Sequence, residues 1–230
     1  MFQLDNVNKA YASRRGAVHA LKGVSFEIAR GSCLTITGPS GSGKTTLLLT
    51  LGGLIRPSSG RVLFQGTDLC ALGDADLARY RNQKIGFVLQ TFNLVPYLNA
   101  LENVMVPMLF GNGTSSGFRE RAAALLDRLG LGDRADHLPR ELSAGQQQRV
   151  AIARALGNDP EVILADEPTG NLDPRLSGEV LSILRDLNER EGRTVIMVTH
   201  SPQAAQIGTR RLHLFEGTCQ PGAAQESVMV

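Results

Sequence analysis

A glycine-rich segment that ends in lysine and threonine carries the clearest chemical pattern in the chain. GPSGSGKTT matches G-x-x-x-x-G-K-[ST] in full, after a strand-like and before a helix-like segment. Its glycines let backbone N–H groups approach phosphate oxygens, Lys44 can reach the β- and γ-phosphates, and the Thr45 hydroxyl can bind Mg²⁺. A turn with a solvated lysine is the alternative, but this context favours a nucleoside triphosphate site. The predicted phosphate-binding residues are Gly38, Pro39, Ser40, Gly41, Ser42, Gly43, Lys44, Thr45 and Thr46.

Two adjacent carboxylates follow an apolar strand in VILADEP, which runs from Val162 to Pro168. Adjacent residues at a strand end project in different directions, so Asp166 can serve a metal while Glu167 faces an attacking water. A kinase that passes phosphate to a substrate would not need the second carboxylate there. Acids are also common where a strand simply ends in solvent. The phosphate loop upstream favours the functional interpretation, which is hydrolysis.

A second place for an anion is predicted at the start of LSAGQQQRVAIARAL, residues 142–156. Ser143 is a favourable helix N-cap, and a helix N-terminus that follows a turn of small residues attracts anions. The chain therefore has two candidate phosphate sites about a hundred residues apart in sequence.

Strand-like and helix-like segments alternate along the chain, which predicts an α/β fold. Three segments, CLTITG, VILADE and TVIMVTH, are almost continuously apolar, as strands buried on both faces of a parallel sheet are. Residues 91–160 contain no convincing strand and include the loop-like GNGTSSG, which predicts an inserted helical subdomain. Helices are predicted to end at Gly130 and to open at Asp173, Ser143 and Ser201. The other predicted strands are FQLDNV, VSFEIA, RVLFQG and IGFVLQ.

The composition limits the class of protein. The 230 residues include 42% hydrophobic and 20% charged residues with a net charge of +2, so charge gives no reason to expect nucleic acid as a partner. Three scattered cysteines without C-x-x-C spacing fit a reducing cytosol and predict neither disulfides nor a metal site. We expect no secretion leader, and LLLTLGGLI is about half the ~20 residues that span a bilayer. A membrane role would therefore need a separate membrane partner, without direct insertion of this chain.

Six motifs in order make the chain similar to the ATPase subunits of ATP-binding cassette (ABC) transporters, from Phe2 to about Gly217. An isolated tyrosine in a turn is more often packing, and an isolated histidine after a strand is usually a surface or core residue. The shared order of the motifs favours a functional role for each. They are GPSGSGKTT, Gln90 in FVLQTF, LSAGQ where the family usually has LSGGQ, VILADEP followed by TGNLD, His200 in VTH, and Tyr11 in NKAYAS.

The resemblance implies a P-loop NTPase fold with a mixed sheet, an N-terminal antiparallel β subdomain and an inserted helical subdomain. It also implies that two copies pair head to tail around two ATP molecules. Each ATP then contacts the phosphate loop of one copy and the signature residues Ser143, Gly145 and Gln146 of the other. Ala144 stands where the family usually has glycine, which puts the tightness of that contact in question.

The resemblance also implies roles for single residues. Glu167 activates the water, His200 holds the γ-phosphate geometry and Gln90 senses the γ-phosphate. Tyr11 stacks on adenine and Asp173 links the two nucleotide sites. The implied catalytic residues are Lys44, Gln90, Glu167 and His200, and the implied Mg²⁺ ligands are Thr45, Gln90 and Asp166.

The segments LADEPTGNLD and ALENVMVPMLF are similar to the corresponding segments of one subgroup of the family, the ATPases of lipoprotein-release and macrolide-export systems. Membership implies a peripheral position on the cytoplasmic face of the inner membrane. The segment Thr91–Leu109 is apolar and interrupted by Pro96 and Pro107. Most of it is expected to be subdomain core, and an exposed part would make a groove for a short helix of a permease subunit.

Two other classes of function stay open from sequence. One is a soluble cassette ATPase that works on nucleic acid or ribosomes, and the other is a regulatory cassette, as in cell division, that hydrolyses little ATP. Proteins of the first class usually have two cassettes, a long coiled coil or a basic face, and the sequence shows none of these. Intact Glu167 and His200 argue against the second class. The expected organisation is one ABC domain, with a nucleotide-binding core at 1–90 and 161–220, a helical subdomain at 91–160 and a disordered tail at 221–230.

Overall fold

Two β-sheets form the framework of the protein. The computed structural model describes residues 1–13, 16–111 and 117–221. One sheet is antiparallel, in the order β2-β1-β4-β5. Its strands are β1 (Phe2–Ser13), β2 (Gly16–Ile28), β4 (Ser59–Phe64) and β5 (Thr67–Asp68). The strands of the other sheet are β3 (Cys33–Thr37), β6 (Ile85–Val88), β7 (Val162–Asp166), β8 (Thr194–Val198), β9 (Arg210–Phe215) and β10 (Thr218–Pro221).

The second sheet is mixed, in the order β10-β9-β3-β8-β7-β6. All neighbours in it are parallel except β10, which returns antiparallel beside β9. The three continuously apolar segments are its central strands β3, β8 and β7, which confirms the predicted parallel sheet. Because these strands run in one direction, their carboxyl ends lie along the same edge.

Helices follow several strands, and a group of them occupies the stretch of chain that connects β6 to its sheet neighbour β7. In that interval, residues 89–161, the described part of the chain contains helices, 3₁₀ turns and loops but no strand, as predicted. The α-helices are α1 (Lys44–Leu51), α2 (Asp74–Lys84), α3 (Ala100–Met105), α4 (Phe118–Arg128), α5 (Ala144–Ala155), α6 (Pro174–Glu189) and α7 (Pro202–Ala205). Short 3₁₀ helices span Leu69–Ala71, Val106–Phe110, Gly132–Arg134 and Pro139–Glu141.

Alternate residues of the mixed sheet face two different hydrophobic cores. In β7, Val162 and Leu164 join the core shared with α1 and the antiparallel sheet. Ile163 and Ala165 face the opposite way, into the core built from α3, α4, α5 and α6. The two-residue period of a strand produces this division, so one sheet holds both layers together.

Some elements differ from the sequence prediction. Helix α2 was missed because its eleven residues bury only Leu77 and Tyr80, too sparse an apolar pattern for recognition. Strand β9 was missed because two arginines open it, although Leu212 and Leu214 alternate toward the core. Pro221, the first residue of the expected tail at 221–230, pairs with Leu212 in the last strand pair. The rest of that tail and residues 112–116 of GNGTSSG lie outside the described residues, among which no helix is both long and apolar enough to cross a bilayer.

Glu161, just before β7, connects segments that are far apart in sequence. Its carboxylate accepts hydrogen bonds from Lys84 Nζ at 2.7 Å, Gln65 Nε2 at 2.7 Å and Arg30 at 3.1 Å. Gln65 belongs to the antiparallel sheet's last turn, and Lys84 ends α2. The hydrogen bond from Lys84 and the nearby positive charges lower the pKa of Glu161 below its usual value.

Glu161→Gln is expected to lower the free energy of unfolding by about 1 kcal/mol at neutral pH. A lowered native pKa stabilises the fold above the unfolded-state pKa of about 4.3 and loses this contribution as pH falls through the native value. Urea titrations should therefore show a difference from the unsubstituted protein that is constant at neutral pH and shrinks below about pH 4.

Glu179→Gln is the control for this test, because the ion pair that Glu179 forms within the described residues is with the exposed Arg175, one helical turn away. Its effect should stay within about 0.5 kcal/mol. Equal effects of the two substitutions would show that the Glu161 network does not stabilise the fold.

Candidate functional site

The predicted site residues follow the carboxyl ends of neighbouring parallel strands. The phosphate loop follows β3, Asp166 ends β7, and His200 lies two residues beyond β8. Gln90 lies two residues beyond β6, the next strand of the sheet. Side chains at or just past the carboxyl ends of parallel strands are the ones free to converge on a site.

The phosphate loop has the backbone that its sequence predicts. Gly38, Gly41 and Gly43 have φ values of +148°, +78° and +101°, which residues with a Cβ rarely adopt. Lys44, only 8% exposed, curls back so that Nζ donates to the carbonyls of Gly38 and Pro39, both at 2.9 Å. The loop is thus a concave, glycine-lined segment that places an ammonium group at its centre, a shape that fits a phosphate chain.

Thr45, in the first turn of α1, and Asp166, at the end of β7, bring two oxygen ligands together. Thr45 Oγ1 donates to Asp166 Oδ1 at 3.1 Å. Burial raises the pKa of Asp166, and the hydrogen bond from Thr45 opposes that rise. A hydroxyl and a carboxylate are hard oxygen ligands of the kind that Mg²⁺ takes from proteins when phosphates and water complete its shell. The pair fits the predicted metal site.

Glu167 and His200 form a second pair beside the first. Glu167 Oε1 lies 2.7 Å from His200 Nδ1, and Glu167 Oε2 accepts the backbone N–H of His200 at 3.2 Å. Because a carboxylate only accepts, Nδ1 carries the hydrogen. Glu167 has φ of +45°, in the left-handed region that costs a non-glycine residue about 1–2 kcal/mol. This turn directs the side chain of Glu167 to His200 while its N–H still bonds Val198 O.

Gln90 lies against the segment that follows the acidic pair. Asn171 Nδ2 donates to the Gln90 carbonyl at 2.9 Å. Gly170 lies so close that a Cβ there would be 3.0 Å from Gln90 Nε2. Gln90 is therefore held beside the TGNLD segment, which begins two residues after Glu167. Asp173 of that segment caps α6 by accepting the N–H of Leu176 at 2.9 Å.

The LSAGQ segment forms a second, separate structure. Ser143 and Gln146 form a capping box: Gln146 Oε1 accepts the Ser143 N–H at 2.8 Å, and Ser143 Oγ accepts the Gln146 N–H at 3.3 Å. Gly145 lies against α6, where a Cβ would be 2.8 Å from Leu176. Ala144 is an exposed first residue of α5, so its helical backbone does not require glycine. Helix α5 packs against α3, α4, α6 and β6, whereas α1 packs against β2, β7 and β8.

Tyr11 lies on β1, opposite Val18 of β2. Its ring is 39% exposed, and the Lys9 ammonium lies 5.1 Å from the ring centroid. The ring is thus accessible to a planar ligand and already has a cation near it.

Comparison with known proteins identifies the family. The sequence profile described as ABC transporter matches residues 21–170, which include the phosphate loop, the LSAGQ segment and the acidic pair. The chain belongs to the ABC transporter family. The predicted family is confirmed, and with it the class of ATP hydrolase.

Three relatives indicate the subgroup of the family to which this ABC cassette is similar. A lipoprotein-releasing system ATP-binding protein, LolD, of Bacteroides thetaiotaomicron is 44% identical over 95% of the chain and 98% of LolD. A macrolide export ATP-binding/permease protein, MacB, of Syntrophobacter fumaroxidans is 48% identical over 96% of the chain, which spans only 31% of MacB. A dimeric cassette of Methanocaldococcus jannaschii, bound to ADP and Pi, matches with a TM-score of 0.89 and 44% identity over 96% of the chain and 97% of that structure. The fold and the predicted subgroup are confirmed.

Gln148 of the cassette is a residue that sequence reasoning missed. It is fully buried on α5, and its Nε2 donates to the carbonyl of Pro168 at 2.7 Å. Pro168 directly follows Glu167, so this bond joins the LSAGQ helix to the acidic segment. The sequence offers only a weak signal, namely a polar residue on the apolar face of the helix.

Gln148→Leu should leave the Pro168 carbonyl without its donor, which costs about 1–3 kcal/mol and loosens the strained backbone at Glu167. We expect turnover to fall about tenfold while equilibrium ATP binding changes less than about twofold. Steady-state kinetics and nucleotide titration measure the two quantities.

Gln147→Leu is the matched control, because Gln147 Nε2 donates at 3.0 Å to Leu142, before the helix and away from the acidic segment. Its turnover should stay close to that of the unsubstituted protein. If both substitutions reduced turnover equally, the link from Gln148 to Pro168 would have no special role.

Proposed function

We propose that the chain is the ATP-binding and ATP-hydrolysing subunit of a bacterial transporter, which dimerises around two ATP molecules to drive a separate membrane subunit. The work it drives is export, lipoprotein release or another mechanical task in the periplasm. One observation supports this most directly: the phosphate loop, the Thr45–Asp166 pair and the Glu167–His200 pair occupy one edge of one sheet. The names of LolD and MacB support the coupling to membrane transport.

The residues of the site divide the chemistry of hydrolysis among them. The loop's backbone and Lys44 hold the β- and γ-phosphates, and Thr45, Gln90 and Asp166 are the residues that would hold Mg²⁺. When bound, Mg²⁺ neutralises charge on the phosphate oxygens. Glu167 orients and polarises the attacking water, and the bond from His200 fixes the position of its carboxylate. Tyr11 supports the adenine ring by stacking.

The second anion site belongs to the partner copy's nucleotide. Within one chain, α5 and α1 pack against different helices and strands. We therefore assign Ser143, Gly145 and Gln146 to a phosphate that is held by the loop of another molecule. The dimeric Methanocaldococcus jannaschii cassette supports this arrangement. Asp173, which caps α6, links the two sites. The functional division is a core at 1–90 and 161–220 and a subdomain at 91–160 that carries the signature.

The membrane partner occupies a groove beside the predicted segment Thr91–Leu109. A cavity of about 730 Å³ lies between α2 and the 3₁₀ helix Val106–Phe110. Its described lining includes Arg79, Arg81 and Arg154 and no carboxylate, beside apolar side chains such as Phe110. A short helix of the permease with an apolar face and an acidic residue complements this surface. Such a partner holds the cassette at the cytoplasmic face of the inner membrane.

Glu167→Gln should abolish turnover, with a loss of at least about 10²-fold, because an amide does not take up the water's proton. ATP binding should persist, and ATP should then convert monomers into a stable dimer that gel filtration with light scattering detects. Hydrolysis at the normal rate would show that Glu167 is not the base. Loss of hydrolysis without an ATP-dependent dimer would contradict the sandwich.

Phe110→Asp should reduce recovery of the membrane subunit with the affinity-tagged cassette by about tenfold or more. The substitution removes an apolar contact and places a carboxylate beside the arginines that the partner's acidic residue would use. Phe110 is 76% exposed, and its neighbour Leu109 is 62% exposed but does not line the groove. Leu109→Asp is therefore the matched control and should retain the partner. Both isolated variants should keep basal ATPase activity.

The same purification from membranes tests the other classes of function. Recovery of nucleic acid and no membrane subunit would favour a soluble cassette that acts on nucleic acid. Recovery of a membrane subunit with turnover that stays negligible in the complex would favour the regulatory cassette.

A further inference from the structure

The phosphate loop lies in close contact with the backbone of other segments at both of its ends. At its start, a Cβ on Gly38 would lie 2.0 Å from the Leu214 carbonyl oxygen of β9. At its end, a Cβ on Gly43 would lie 2.1 Å from the Ala20 carbonyl oxygen of β2. The position of the loop is therefore set by β9 on one side and by β2 on the other, since backbone atoms do not yield as side chains do.

One residue connects the loop to both of these strands. Gly217 lies in the two-residue turn between Phe215 and Thr218 that joins β9 to β10. Its N–H donates to the Ser42 carbonyl of the phosphate loop at 3.1 Å, and its carbonyl accepts the Lys22 N–H of β2 at 2.8 Å. The C-terminal hairpin thus bridges β2 and the loop through the backbone of a single glycine.

The chain contains a second turn of the same kind, in which Gln65 bonds Met1 and Glu161 but the glycine forms no backbone bond to another segment in the described part of the chain. Gln65 and Gly66 join β4 to β5 with φ values of +50° and +84°, against +48° and +83° for Glu216 and Gly217. Both pairs of φ values belong to the turn type that suits tight hairpins. Nothing lies within 4 Å of a Cβ built on Gly66, whereas a Cβ on Gly217 would lie 3.0 Å from Ala20 O.

We propose that Gly217 is a positioning residue for the nucleotide site: the C-terminal hairpin turn holds the phosphate loop in its binding geometry through the bond to Ser42. The inference rests on the proposed role of that loop in ATP binding. Backbone N–H groups recognise phosphate oxygens only when placed to within about 0.5 Å, so a small displacement of Ser42 weakens binding. The effect belongs to ground-state binding, since Gly217 does not touch Glu167 or His200 in the described contacts.

Gly217→Ala and Gly66→Ala form a matched pair that tests the proposal. Alanine at these φ values strains both turns, so both variants should show a fall in the thermal midpoint, which is larger for Gly217→Ala because its Cβ also meets Ala20 O. Only Gly217→Ala should raise the ATP dissociation constant and KM, by about tenfold, because its Cβ pushes the turn off Ala20. Its kcat at saturating ATP should stay within about threefold of the unsubstituted protein. Equal ATP affinity in the two variants would overturn the proposal.

Lys44→Ala in the same titration separates this inference from the proposed function. If Lys44→Ala still bound ATP normally, the phosphate site itself would be wrong and the role of Gly217 would fall with it. If Lys44→Ala lost binding and Gly217→Ala did not, only the role of Gly217 would be wrong.

Hydrogen exchange in the unsubstituted protein tests the bond even if Gly217→Ala does not fold. ATP should slow exchange in a peptide that covers residues 215–218, because a bound nucleotide fixes the Ser42 carbonyl that the Gly217 N–H uses. A peptide that covers residues 64–67 should not change. Unchanged exchange at 215–218 with ATP bound would contradict the proposal.

Discussion

The direction of four parallel strands is the constraint on which the site depends. β3, β8, β7 and β6 run side by side with their backbone groups paired, and their side chains are committed to two cores. Reactive side chains can converge only where pairing stops, at the shared carboxyl edge. Two tight side-chain contacts across that edge, Thr45 with Asp166 and Glu167 with His200, follow from strand order alone. The order and direction of the strands therefore decide which side chains can meet, and the residue types then decide what chemistry they can perform.

Close backbone approach is the second requirement, and it appears as conformations that ordinary residues avoid. Gly38 and Gly43 allow the loop to rest on Leu214 and Ala20 without a Cβ in between. Glu167 has no such freedom and adopts a positive φ, because its carboxylate must turn from the end of β7 toward His200. The surrounding hydrogen bonds, including Gly170 N–H to Glu167 O, hold that strained residue in place.

The sequence predicted the parts of the molecule whose local pattern and tertiary role agree. β3, β7 and β8 are apolar because both faces are buried, and Ser143 and Asp173 cap helices as their residue types suggest. The sequence did not predict α2 and β9, because each buries few residues and its many polar side chains obscure the hydrophobic periodicity. The roles of Gln148 and Gly217 could not be predicted, since each depends on a carbonyl group far away in sequence. A motif identifies a loop, but it does not show what holds the loop in position.

If the cassette works as proposed, the contacts around the acidic segment give a route from its nucleotide site to the surface of its membrane partner. Gln148 joins α5 to Pro168, Asn171 joins the same segment to Gln90, and Arg154 of α5 donates to the carbonyls of Phe92 and Asn93 beyond it. Arg154 also lines the groove between α2 and Val106–Phe110. In the proposed dimer, a shift of α5 on contact with the second copy would reach both Glu167 and the groove through a few direct hydrogen bonds. Helix α5 is thus the element that connects the acidic segment with the groove by direct hydrogen bonds.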